Sequence, residues 1–391
     1  MNRPRVLIVT TNPPLKEMGG SLLFYRQFIE RADYDVAVMT DRLDSQLDSV
    51  PWFQVKHPRW LARILRTRFS LFGHDFIHLF AGKFASRESL QFARKFNPDV
   101  IITGAETWMS DLAITLGKKL DVPVAGHFMD WPTYASLGHD CVKRKFTTLF
   151  KRRYHRCHLA FGICPEMLEA LGPHPNAHVY YPSGNWTGQD SRASQVSNDG
   201  RFVVMFAGNL GQWYGHAIIQ LLDALEGHEK IQLKVAGKNA PWSEERGEEL
   251  RASGHFLGFL DHEACADALG EADALLVIMG FDEDSRMIES TSFKSKMVDY
   301  LVQQKPLIIW GPEYCTAVKH ARREGFAEVV TNPDPTAVVR VAEELQVSSE
   351  KRQSLIRNGE RFFKENLDAG IVFGRALAET IKTIEAYRKA H

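Results

Sequence analysis

The sequence predicts an α/β protein made of two doubly wound parallel sheets. Short β-rich runs alternate with helical patterns along the chain, and the alternation occurs twice. A polar stretch at residues 184–201, rich in Ser, Gly, Asn and Asp and without apolar periodicity, separates the two rounds. The chain has 391 residues, long for one core and comfortable for two domains.

In the first half, strands are expected over residues 5–10, 34–39, 99–103, 123–127, 159–163 and 177–181. Helical patterns over 20–31, 84–96 and 110–120 separate several of them. In the second half, strands are expected over 202–206, 231–236, 274–279, 307–310 and 328–330. Helices are expected between them over 216–225, 243–252, 262–269, 294–302 and 336–345. Strands alternating with helices imply parallel sheets covered on both faces. The expected domains are residues 1–183 and 202–370, facing one another across a cleft, with ligands at the carboxyl ends of the strands. Residues 371–391 carry Ile371, Phe373, Leu377, Ile381, Ile384 and Tyr387 at helical spacing, an amphipathic helix that packs on the second domain or returns to the first.

Composition narrows the function. Apolar residues are 44% and charged residues 25%, ordinary values for a soluble globular protein. Lys+Arg and Asp+Glu balance at 48 each, so the net charge gives no pull toward nucleic acid, and none is expected as a partner. The apolar run at residues 6–9 is too short for a signal peptide core, and no run approaches a membrane span. The five cysteines form no CxxC pair and no zinc spacing. A reduced, cytoplasmic protein without a metal or cofactor is the expectation.

The segment at residues 292–306 is the most informative. It places Lys296 and Asp299 three residues apart on one helical face, near a helix start that also carries Ser295. Such a start suits a phosphate, and a carboxylate one turn on suits ribose hydroxyls. The first strand leads into Gly19-Gly20, where bare backbone can approach a ligand. The strand at 123–127 leads into His127 and Asp130, candidates for acid/base work. The strand at 202–206 leads into Gly208-Asn209, another phosphate-friendly turn, with Trp213 and Tyr214 beyond it as rings for stacking or packing. Lys238 ends the next strand, within reach of a base or phosphate.

These segments, in this order, resemble GT-B glycosyltransferases of the family 4-like group. The resemblance runs through most of the chain and is most specific in the second half. It implies a nucleotide-sugar donor domain at residues 202–370, an acceptor domain at 1–183 and a C-terminal helix that crosses back to the acceptor domain. It also implies that Gly19, Gly20, Gly208, Asn209, Lys238, Ser295, Lys296 and Asp299 hold the donor nucleotide. Asp130, His127 and Lys296 take the catalytic roles, and Arg286, Glu289 and Thr291 wall the sugar. Three positions depart from the family. Many relatives carry Arg where Asn209 stands, Lys where Tyr214 stands and Glu where Thr291 stands.

The implied reaction is transfer of a sugar, with retention and without a metal, from a nucleotide sugar to a glycan, lipid-linked or small-molecule acceptor in polysaccharide biosynthesis. Two alternatives stay open: a sugar-nucleotide epimerase on the same fold and a non-catalytic sugar-nucleotide-binding scaffold. Two acid-free basic stretches with aromatics, one holding Arg59 to Arg68 and one holding Lys143 to Arg156, suit an anionic membrane surface, and so a peripheral place on the inner membrane face.

Overall fold

The computed structural model describes residues 3–16, 20–42, 49–132, 137–186, 200–211 and 214–391. Gly19, Trp213 and most of the expected linker, residues 187–199, lie outside the described residues. The chain forms two compact units, Met1–Tyr181 with Val372–His391 and Pro182–Ile371.

The first unit holds a seven-stranded parallel sheet of β1 (Arg5–Val9), β2 (Asp35–Thr40), β3 (Trp52–Gln54), β4 (Val100–Gly104), β5 (Val124–Phe128), β6 (Leu159–Gly162) and β7 (Ala177–Val179). Their order is β3-β2-β1-β4-β5-β6-β7. The central strands β1, β4 and β5 are buried almost end to end, as doubly covered parallel strands must be. The short edge strand β3 was not expected: its three residues, Trp52-Phe53-Gln54, are exposed or half-buried and too few to show a period. The expected helix at 20–31 is divided into Gly20–Phe24 and a π-helical turn, Tyr25–Glu30.

The second unit holds β8 (Phe202–Asn209), β9 (Ile231–Lys238), β10 (Ala274–Ile278), β11 (Leu307–Trp310) and β12 (Ala327–Val330). All pairs are parallel, in the order β12-β11-β10-β8-β9. Both β8 and β9 outrun the expected 202–206 and 231–236, because their pairing continues through Gly208 and Gly237 where β propensity has ended. In each sheet the winding reverses beside the first strand, between β1 and β4 and between β8 and β10. Ligands of such sheets gather at the carboxyl ends there. The C-terminal helix, Ala369–Ala390, returns to the first unit from Val372 on. Asn176 Nδ2 donates to Thr383 Oγ1 at 3.0 Å, and Tyr387 Oη donates to Asp121 Oδ1 at 2.9 Å. All five cysteines are free thiols.

One buried ion pair fixes the rim of the first sheet. Arg153, on the helix Phe146–Arg156, is 4% exposed. Its Nε and Nη2 donate to Asp111 Oδ2 at 2.9 and 2.8 Å, and its Nη1 donates to the carbonyls of Ala105 and Glu106 at 3.1 and 3.2 Å. The turn after β4 is therefore held by a guanidinium whose charge is met by a buried carboxylate. Removing Arg153 takes from Asp111 its buried partner and leaves only the partly exposed Arg152 and Arg156 near it. Arg153→Ala is expected to lower the unfolding free energy by about 3–5 kcal/mol in urea titration. Arg152→Ala, whose partly exposed guanidinium meets Asp111 at 3.3 Å, is expected to lose under about 1 kcal/mol. Equal losses in both variants would contradict the assignment.

Candidate functional site

In the second unit, the carboxyl ends of β8 and β9 are pressed together over bare backbone. Gly208 pairs with Gly237 and Asn209 with Lys238. Gly237 has φ +154°, and a Cβ there would fall 1.7 Å from the Gly208 carbonyl oxygen. Gly208 has φ +149°, and a Cβ there would fall 2.8 Å from Lys296 Nζ. The Lys296 ammonium thus lies over backbone that no other residue type would leave open. The helix Lys296–Val302 holds this arrangement from the far side. Tyr300, one turn on from Lys296, accepts from Ala207 N–H at 2.8 Å and donates to the Ala207 carbonyl at 3.2 Å.

The charge around Lys296 is unusual. Its Nζ lies 4.1 Å from the ring centroid of Phe206 and 5.6 Å from that of Tyr214. The carboxylate that acts on it, Glu289, is paired with Lys294 at 2.9 Å. That pairing holds the Lys294 pKa well above its ordinary value, against its burial. Burial, followed by repulsion from Lys294, pulls Lys296 down to about 7. Near neutral pH the site carries an ammonium that gains from an incoming anion.

The other expected donor-side residues are placed as follows. Glu289 is fully buried, its Oε1 accepting from Tyr214 Oη and Gly280 N–H, both at 3.3 Å. Thr291 is 2% exposed and donates to the Met287 carbonyl at 2.6 Å. Arg286 is exposed, 3.2 Å from Glu283 and over the Tyr314 ring at 4.8 Å. The structure therefore brings Glu289 beneath the Lys294–Lys296 pair but leaves Arg286 outside it. Asn209 Oδ1 accepts from Gly211 N–H at 3.1 Å and Asn239 Nδ2 at 3.2 Å, closing the turn. Lys238 Nζ sits 4.1 Å over the ring of Phe259, which is 60% exposed. Ser295, just before the Lys296–Val302 helix, and Asp299, in its first turn, are exposed, and the helix starts two residues later than expected.

In the first unit, three carboxyl-end loops converge. A Cβ on Gly20 would meet Met129 Sδ at 3.3 Å. Glu106, after β4, accepts from the N–H groups of Met129 and Asp130 at 3.0 and 3.4 Å, fixing the loop after β5. Asp130 is exposed at that rim. Burial raises the Glu106 pKa to about 7, opposed by those two N–H donors and reinforced by Asp130.

His127 does not join this rim. It is 1% exposed, inside rings of Phe24, Phe161 and Tyr180 at 5.0, 4.8 and 4.7 Å between centroids. Neither ring nitrogen has a hydrogen-bond partner among the described residues, and burial lowers its pKa to about 3. It is a neutral core ring, not a base, because its strand turns it to the covered face.

Sequence reasoning missed Glu106, Lys294 as the partner of Glu289, and Tyr300 as the pin. Glu106 stands two residues past β4 and could have been found as a carboxylate at a central strand's end. Tyr300 carries no such mark, since its partner Ala207 lies 93 residues away, and Lys294 lies only five residues from Glu289 but is offered no pairing by helical spacing.

Glu106 generates a pH test. The folded protein keeps the Glu106 proton up to about pH 7, whereas an ordinary glutamic acid releases it near 4.5. The folded state therefore binds more protons in that window, and stability falls as pH rises through it. Relative to wild type, Glu106→Gln is expected to gain roughly 2 kcal/mol between pH 5 and pH 8 in urea titration. The same offset at both pH values would remove the buried carboxyl from the account.

No family model and no curated protein matches this chain. Solved structures do. A glycosyltransferase from Rickettsia africae is 11% identical, with a TM-score of 0.68 over 98% of this chain and 99% of that one. Sucrose-phosphate synthase from Thermosynechococcus elongatus is 14% identical, with a TM-score of 0.66 over 100% and 99%. HepE from Anabaena in complex with UDP is 14% identical, with a TM-score of 0.66 over 97% and 100%. HepE is also known with UDP-glucose and with UDP and glucose. At these identities the likeness is one of fold, and the fold of this chain is that of the GT-B glycosyltransferases.

Proposed function

We propose that this protein transfers a sugar from a nucleoside-diphosphate donor to an acceptor, with retention and without a metal. The observation that carries the reading is Lys296 Nζ over Gly208 at the carboxyl end of β8, beside the strand where the sheet reverses. A diphosphate seated there meets a cation whose neighbouring carboxylate, Glu289, is paired with Lys294. As the sugar bond breaks, charge grows on the leaving diphosphate, and Lys296 stabilises it. Asp299 accepts from the ribose hydroxyls, and the Lys238–Phe259 pair is a stacking platform for the base. On the first unit, Asp130 orients the acceptor hydroxyl, and Glu106 positions the backbone that carries Asp130. The leaving phosphate takes the acceptor proton. The uridine nucleotides bound by the fold neighbour HepE make UDP-sugars the first donors to test.

The loss of Arg and Lys at Asn209 and Tyr214 favours a second reading, a scaffold that binds the nucleotide sugar without turnover. One assay separates them. Wild-type protein incubated with UDP-, GDP-, ADP- and TDP-sugars is expected to release one nucleoside diphosphate by transfer or slow hydrolysis. Lys296→Met keeps the packing on Phe206 and removes the charge. It is expected to lower the rate by roughly 10²–10³-fold. Binding of a nucleotide sugar with no turnover in wild type would support the scaffold. An unchanged rate in Lys296→Met would exclude the proposed seat.

A further inference from the structure

We infer that the helical hairpin between β3 and β4 is a docking surface for an anionic phospholipid bilayer. It consists of the helices Arg59–Ile64 and Ser70–Phe80. Twelve large apolar side chains stand out as exposed among the described residues, and seven of them fall on residues 60–84 or on Leu137, beside the hairpin. Scattered apolar residues are ordinary on a surface, but a concentrated patch is not. Trp60 is 49% exposed, Phe72 61% and Phe84 70%. The rings fall into two groups: Trp60 meets Phe76 at 5.2 Å and Phe76 meets Phe80 at 5.6 Å, while Phe69 meets Phe72 at 6.4 Å.

Charge identifies the occupant. Residues 56–87 hold seven Lys and Arg and one acid, Asp75. That acid is engaged by His139, whose backbone N–H it accepts at 2.9 Å and whose ring it pairs with. Arg68 and Lys83 lie over the rings of Phe69 and Phe80 at 5.0 and 4.6 Å. Arginines interleaved with exposed Trp and Phe match a surface that offers phosphate above and hydrocarbon below. A soluble polyanion would use the arginines and leave the rings in water.

The hairpin is also firmly seated. Leu61 and Ile77 are buried, and a Cβ on Gly82 would fall 2.5 Å from both Asp111 Cβ and the Trp108 carbonyl oxygen. His57 packs on Trp108 at 5.2 Å, and the Trp108 indole N–H donates to Asp41 at 2.8 Å, just past β2. The patch therefore borders the carboxyl-end rim that carries Asp130. On the glycosyl-transfer reading, docking would present that rim to a membrane-borne acceptor.

The second basic stretch is different. Val142, Phe146, Leu149 and Phe150 are all buried, and Arg153 is buried on Asp111. Arg152 and Arg156 also point to Asp111, at 3.3 and 4.0 Å. Its apolar face is covered, so it offers no ring or methyl group to lipid. No described helix is long and apolar enough to cross a membrane, so docking is at the interface.

The test is co-sedimentation of the full chain with vesicles of phosphatidylcholine, alone or mixed with phosphatidylglycerol, without nucleotide. It is therefore independent of the donor seat. Wild type is expected to sediment with the mixed vesicles and not with phosphatidylcholine alone. The exposed pair Phe72→Ser with Phe84→Ser is expected to cut the partition coefficient at least about tenfold, as is Arg63→Glu with Arg66→Glu. Arg144→Glu with Lys145→Glu on the second stretch is expected to leave it unchanged. Circular dichroism of each variant checks the fold. Equal binding to both vesicle types, or no binding, would overturn the proposal. So would full retention in the Phe variant with loss only in the Arg variant, which would mark a polyanion site.

Discussion

Lys296 can lie where it does because Gly208 has no side chain. Its ammonium occupies space that a Cβ would claim, and Gly208 in turn can meet β9 closely because Gly237 is also bare. Tyr300 then locks the helix to Ala207 by two hydrogen bonds. These contacts explain why both strands extend past their apolar runs, why the turn after β8 closes on Asn209, and why the helix begins at Lys296. They also set the electrostatics. Lys294 and Lys296 lie near one carboxylate, Glu289, and the geometry gives it to Lys294. The remaining ammonium faces two rings and a strand end, where burial disfavours its charge.

The rim of the first sheet rests on a comparable chain of contacts, but one built for position rather than charge. Asp111 holds Arg153, Arg153 holds the carbonyls of Ala105 and Glu106, and Glu106 holds the N–H groups of Met129 and Asp130. The links at Arg153 are charged or charge-assisted bonds, and Glu106 carries the chain of contacts on to the loop of Asp130. His127, expected beside Asp130 for acid/base work, is packed among rings in the core. The groups that shape the rim are a buried arginine and a half-buried glutamate.

Much of this was legible beforehand, and for physical reasons. Strands such as Leu307–Trp310 announce themselves because parallel strands buried on both faces read as unbroken apolar runs. The Lys296 segment stands out because a cation, a helix start and an apolar strand follow one another within fifteen residues. What was not legible depends on partners far away in sequence. The cations of the helix Phe146–Arg156 suggest a solvated face, and only Asp111, 42 residues before Arg153, turns one of them inward. His127 and Phe128 alternate on β5, but alternation does not say which face is covered by what. Glu289 lies seven residues before Lys296 and was read as a sugar contact. The fold buries it and makes it the counter-charge of Lys294.

The measurement that tests the central claim most directly is calorimetry of UDP binding at pH 8 in two buffers of different ionisation heat. With its pKa near 7, Lys296 is largely neutral at pH 8 in the free protein. A bound diphosphate raises that pKa, so binding must draw a proton from the buffer. Proton uptake is expected to shrink as pH falls below 7 and to vanish in Lys296→Met together with most of the affinity. Binding without proton uptake, or with equal affinity in Lys296→Met, would contradict the claim.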